Sequence, residues 1–163
     1  MTYKILLPQE IMAEGRAYLE SRGYQRIKGS GMEEEDIIRD IGDCDGIIVR
    51  LSKMSDRVFE AAKKLKVVAR HGAGYDTVDL ESAKRHGVVV LNAPLANSMS
   101  VAELTIFYML HCSRNFKLVE EKMLEDYYWA KLRTPKVELD GKTLGLIGVG
   151  NIGSRVATKA LHG

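Results

Sequence analysis

Short apolar runs alternate with amphipathic stretches along the first ninety residues. The runs Tyr3–Leu7, Gln25–Lys28, Gly46–Arg50, Val67–Ala69 and Val88–Leu91 predict strands. Gln9–Ser21, Glu33–Ile41, Ser55–Ala62 and Val78–Arg85 carry apolar residues at helical spacing and predict helices between them. Ser55 stands where a helix N-cap belongs, and Gly23, Gly42 and Gly87 follow helix ends, where a left-handed cap favours glycine. Strand–helix alternation at this period predicts an α/β fold: a parallel five-stranded sheet of the flavodoxin-like, doubly wound kind, with helices on both faces.

The pattern changes after Asn92-Ala93-Pro94. Ser98–Arg114 is apolar almost all the way round, so the helix it predicts is expected to be buried on more than one side. Glu121–Lys131 predicts a further helix, carrying the only tryptophan, Trp129. Pro135 and Asp140-Gly141 then punctuate the chain. The expected organisation is a first domain over 1–99, connecting helices over 100–140, and over 141–163 the first βα unit of an incomplete Rossmann domain.

That last unit carries the most informative motif. Leu144–Gly153 reads LGLIGVGNIG, an apolar run, predicted as a strand over Thr143–Val149, ending in G-x-G-x-x-G. Ile152, Val156, Ala157 and Ala160 continue it at helical spacing. Strand, glycine turn and helix, in that order, build a pyrophosphate site. Gly148 permits the tight turn, Gly150 lets the backbone approach the phosphates, and Gly153 lets helix and strand pack closely. The helix start supplies free N–H groups at Gly150, Asn151, Ile152 and Gly153. A plain tight βα turn that binds nothing is the competing reading. The acid that holds the ribose in such folds lies about twenty residues beyond the glycines, and the sequence closes at Gly163.

Composition narrows the classes. Apolar content of 45% and charged content of 28% suit a globular protein. A net charge of +2, with no Lys/Arg run longer than two, argues against a nucleic-acid partner. No apolar run nears the roughly 20 residues that span a bilayer, and no signal segment is evident, so the expectation is a cytoplasmic protein without a membrane partner. Cys44 and Cys112 form no CxxC pair and read as reduced core thiols. The histidines His71, His86, His111 and His162 show no ligand spacing, and no metal is expected.

Three blocks resemble the D-isomer-specific 2-hydroxyacid dehydrogenases, the family of D-lactate and D-3-phosphoglycerate dehydrogenases. They are VVARHGAGYDTVDL at Val67–Leu80, VLNAPLANSMSVAE at Val90–Glu103, and LDGKTLGLIGVGNIG at Leu139–Gly153. They fall in family order and cover essentially the whole chain. The resemblance implies two α/β domains with the active site in the cleft between them, and NAD as hydride carrier. It places the amides of His71–Gly74 against the carboxylate of an anionic 2-hydroxy or 2-oxo acid, 3-phosphoglycerate or lactate among them, and Ala73 near the nicotinamide. Arg50 and Arg70 match positions where phosphoglycerate-type members carry arginines for an anionic substrate; solvated arginines at strand ends are the alternative. His71 does not match the catalytic histidine of the family. The family's catalytic arginine, glutamate and histidine follow the glycine turn by a long stretch, so no catalytic residue is assigned here. The expectation is a truncated member, inactive alone and pairing as a homodimer through the Val101–Cys112 helix. The alternative is a non-catalytic dimerisation or binding module on the same fold.

Overall fold

The computed structural model describes residues 2–162. They form two compact units, divided between Ala96 and Asn97.

The first unit contains β1 (Lys4–Leu7), α1 (Ala13–Ser21), β2 (Gln25–Lys28), α2 (Glu34–Asp40), β3 (Gly46–Val49), α3 (Asp56–Ala61), β4 (Val67–Arg70), α4 (Leu80–Arg85) and β5 (Val89–Leu91). The sheet order is β2-β1-β3-β4-β5, every pair parallel, which is the flavodoxin-like order. Leu6, Ile47 and Val68 stand side by side in register across the three central strands and are completely or almost completely buried. With Val49 they pack on Ile37 and Ile41 of the α2 region, Val58 and Phe59 of α3, and Ala83 of α4. The other face carries Ile5, Ile48, Ala69 and Leu91 beneath Leu19 of α1, and Leu91 stays exposed there. β2 is an edge strand whose sequence QRIK is mostly exposed, and its charges discourage further pairing.

Helix starts differ from the sequence pattern for local reasons. Residues Gln9–Met12 are not helical; the Gln9 side chain instead accepts from the Leu51 amide at 3.2 Å. Asp79, not Val78, sets the start of α4, accepting from Ser82 N at 2.9 Å and Ser82 Oγ at 2.7 Å. Ser55 does precede α3, but its hydroxyl donates to Glu34 and caps nothing. Gly23 and Gly87 take the left-handed cap conformation, whereas Gly42 does not.

The second unit holds α5 (Ser98–Ser113), α6 (Phe116–Met123), α7 (Tyr127–Leu132) and α8 (Gly153–His162). The helix expected over Glu121–Lys131 is two helices. The break falls at Leu124–Asp126, where Asp126 accepts from Trp129 N at 2.9 Å and starts α7 afresh. α5 forms as expected, but of its residues only Ser98 and Ala102 are buried. Leu104, Phe107, Tyr108 and Leu110 remain about half exposed, because the described part of this unit does not surround the helix. Thr143–Val149, expected as a strand, makes no ladder among the described residues, and Ile147 projects fully into solvent. A strand exists only by pairing, and no neighbouring strand is at hand among the described residues of this unit. Cys44 is buried, its Sγ donating to Asp40 O at 3.4 Å, and burial pushes its thiol pKa up. Cys112 is exposed, contrary to the expectation of a core thiol, because it lies on the uncovered α5.

Candidate functional site

In the first unit the candidate residues converge at the carboxyl ends of β3 and β4. Val49 and Arg70 are register partners, so Arg50, one residue past β3, and Arg70, the last residue of β4, emerge from adjacent strands. Strand spacing of about 4.8 Å makes them neighbours in the fold. Arg50 is exposed and makes no ion pair among the described residues. Arg70 is half-buried. Its guanidinium donates to the His71 carbonyl, and its Nε is buried without a partner. That guanidinium lies over Gly72: a side chain at this position would begin 1.9 Å from Arg70 Nη1. Gly72 also has φ +148°, a conformation that excludes other residues in its own right. His71 is exposed, and its amide continues the ladder by donating to Val49 O at 2.8 Å.

The loop Gly72–Gly74 is held by the chain that follows β5. Ala93 N donates to Gly72 O at 3.0 Å, and Asn92 Nδ2 donates to Ala73 O at 2.7 Å. The amides of Ala73 and Gly74 have no acceptor among the described residues. Two unpaired backbone N–H groups beside two arginine positions have the chemistry to receive an anion. Asn92 lies within the second block of the resemblance, but nothing in the sequence pattern marks it for a role. Its spacing of 19 residues from Ala73 hides the contact.

In the second unit the glycine turn runs directly into α8. Gly148 has φ +86°. A Cβ on Gly153 would lie 2.3 Å from Gly148 O, so only glycine fits there. Gly150 is different: a Cβ there meets nothing within 4 Å, and its φ is outside the left-handed region. Glycine at Gly150 is therefore not required by the protein's own packing. Ser154 N and Oγ both bond to Gly150 O, at 3.0 Å and 2.8 Å, and fix the first turn of the helix. The amides of Gly150, Asn151 and Ile152 find no acceptor among the described residues. Asn151 and Ile152 are exposed, and α8 is ten residues long, with its positive dipole end at the turn. A turn with free amides, a helix start and one glycine kept clear for no internal reason fits a dinucleotide's pyrophosphate.

Among the described residues there is no cluster of metal-ligating side chains, and no helix is long and apolar enough to cross a membrane.

Comparison with known proteins agrees in family. The chain is 40% identical over 157 residues to D-3-phosphoglycerate dehydrogenase of Sus scrofa, which covers 96% of this chain and 29% of that protein. It is 36% identical over 160 residues to hydroxypyruvate reductase of Thermotoga maritima, covering 98% of this chain and 52% of the relative. The chain thus spans between under a third and about half of the length of these curated relatives. Among solved structures, the NAD+-bound 3-phosphoglycerate dehydrogenase of Entamoeba histolytica superposes with a TM-score of 0.77 at 30% identity, over 99% of this chain and 51% of that one. The family described as D-isomer specific 2-hydroxyacid dehydrogenase, catalytic domain, matches residues 5–161, and this chain belongs to it.

Proposed function

We propose that this chain supplies the substrate-side domain and the start of the cofactor domain of an NAD-dependent D-2-hydroxyacid dehydrogenase. The observation that carries the proposal is the pairing of free amides at Ala73 and Gly74 with Arg50 and Arg70 at the carboxyl ends of adjacent strands. Ligands of open parallel sheets bind beyond those ends. The amides receive the carboxylate of a 2-hydroxy or 2-oxo acid. Arg50 and Arg70 receive a second negative group, and a guanidinium can grip a carboxylate or phosphate at two points. A 3-phosphoglycerate-like acid has both groups, and the phosphoglycerate dehydrogenases among the relatives support that choice.

Gly148, Gly150, Asn151, Ile152 and Gly153 hold the pyrophosphate of NAD, and the bound nicotinamide supplies the hydride acceptor. The residues present bind and orient; no histidine or carboxylate among them is assigned as general base. The 163-residue chain is therefore expected to bind without turning over. The half-exposed Leu104, Phe107, Tyr108 and Leu110 on α5 support a homodimer, since each large apolar side chain fully buried contributes roughly 1.5–3 kcal/mol.

The test has two parts. Titration of the chain with 3-phosphoglycerate, followed by amide NMR, is expected to shift Ala73 and Gly74, and Arg50→Ala with Arg70→Ala is expected to weaken the response to the phosphorylated acid more than to lactate. Equal responses to the two acids in all variants would remove the second anionic subsite. An NADH absorbance assay with pyruvate and 3-phosphohydroxypyruvate is expected to show no turnover by the chain alone; ordinary dehydrogenase rates would mean that it carries its own base.

A further inference from the structure

The strand β5 ends at Leu91, and the two residues after it both bond to the loop that follows β4. Ala93 N takes the carbonyl of Gly72 at 3.0 Å, and Asn92 Nδ2 takes the carbonyl of Ala73 at 2.7 Å. No cis peptide occurs among the described residues. In a trans peptide the C=O of one residue and the N–H of the next point in opposite directions within one rigid plane. Fixing the Gly72 carbonyl therefore fixes the direction of the Ala73 N–H. Fixing the Ala73 carbonyl likewise fixes the Gly74 N–H. Both N–H groups are turned away from the 92–93 segment, and both are the ones left without acceptors.

The geometry points to Asn92 as a positioning residue: through its side-chain amide it aims the Gly74 N–H at the substrate carboxylate, while the backbone at Ala93 aims the N–H of Ala73. This rests on the reading of the Ala73–Gly74 amides as the carboxylate site. The division of labour matters because only one of the two anchors is a side chain. Gly74 has no Cβ to restrict it and no bond from its own amide, so its peptide is oriented chiefly by the Asn92 contact. Asn92 is itself exposed, with its acceptor oxygen free of protein donors among the described residues. Removing it opens no core cavity, and the sheet is expected to survive the change.

The experiment uses the 163-residue chain, 15N-labelled, with sodium oxalate as the carboxylate probe. Wild type is expected to show oxalate-dependent shifts at both Ala73 and Gly74. In Asn92→Ala the Gly74 amide is expected to move and gain fast backbone motion before any oxalate is added, with Ala73 disturbed less and the amides of β3 and β4 unchanged. Oxalate affinity is expected to fall about fivefold, the scale of one neutral hydrogen bond. Asn92→Asp keeps the shape, removes the donor and sets a carboxylate against the Ala73 carbonyl, so it is expected to bind more weakly than Asn92→Ala. Unchanged Gly74 shift and relaxation in ligand-free Asn92→Ala would overturn the positioning role whatever oxalate does. Wild-type oxalate affinity retained in Asn92→Ala would overturn it while leaving the carboxylate site standing. A wild-type chain whose Ala73 and Gly74 ignore oxalate would overturn the site itself, and the role of Asn92 with it.

Discussion

Replacing Gly150 with alanine separates what the glycine turn does for the fold from what it does for a ligand. The new Cβ would meet nothing within 4 Å, and the backbone there lies outside the left-handed region. Alanine then restricts the unfolded chain more than glycine does, and is expected to leave the ligand-free protein unchanged or more stable by about 0.4–1 kcal/mol. Binding should move the other way. A methyl group placed where a pyrophosphate must approach the backbone acts as overpacking, worth about 1–3 kcal/mol, or roughly a 5- to 150-fold loss of affinity. Gly153→Ala is the control with the opposite pattern. Its Cβ would begin 2.3 Å from Gly148 O, so the turn must open by roughly 1 Å to reach a normal contact. That strain of about 1–3 kcal/mol outweighs the helix-propensity gain of about 1 kcal/mol. The assays are urea unfolding without ligand, and NAD+ titration followed at the amides of Gly150–Gly153 in the millimolar range. A Gly150→Ala chain that loses more than about 1 kcal/mol without ligand would show that the space at Gly150 is not open. One that binds NAD+ as wild type does would refute the pyrophosphate assignment.

Other consequences are as direct. Phe59 is 1% exposed in the centre of the first unit's core and stacks on His86 with ring centroids 6.1 Å apart; Phe59→Ala is expected to cost about 3–5 kcal/mol in denaturant unfolding, and a loss under 1 kcal/mol would deny it that place. Lys4 and Lys64 together hold the Asp43 carboxyl at about 2, below its ordinary value of 3.8. A depressed acid contributes stability above its unfolded pKa and loses it as pH falls through the folded one. Asp43→Asn is therefore expected to flatten the stability loss between about pH 4 and pH 2, and more so at low salt, because the pairs are exposed; identical acid profiles would remove the contribution. For the proposed homodimer, sedimentation at tens of micromolar (a roughly assay-scale concentration) is expected to show a two-fold species that Phe107→Glu dissociates, and a monomeric wild type would defeat it.

Much of the first unit is legible in the sequence because its signals are local. Gly46–Val49 is a run of buried apolar residues between polar turns, and the five strand segments expected from the sequence agree with the observed strands within a residue or so, although the edge strand β2 is mostly exposed. The helix starts are less legible because they depend on which side chain is otherwise engaged: Gln9 reaches Leu51, and Ser55 reaches Glu34 rather than its own helix. Thr143–Val149 has the composition of a strand, yet a ladder is a tertiary property and no partner strand lies beside it among the described residues. The site divides in the same way. Gly148 and Gly153 are legible because a short motif encodes their geometry, with φ +86° at one and a 2.3 Å approach at the other. The folding of Arg70 back over Gly72 and the hold of Asn92 on Ala73 are not, since both depend on three-dimensional placement that no spacing rule records.

The most direct test of the account is a crystal structure of the chain grown with 3-phosphoglycerate. The carboxylate is expected on the amides of Ala73 and Gly74, with the phosphate at Arg50 or Arg70. Ordered ligand bound elsewhere on the first unit, with the Ala73 and Gly74 amides still unpaired, would contradict it.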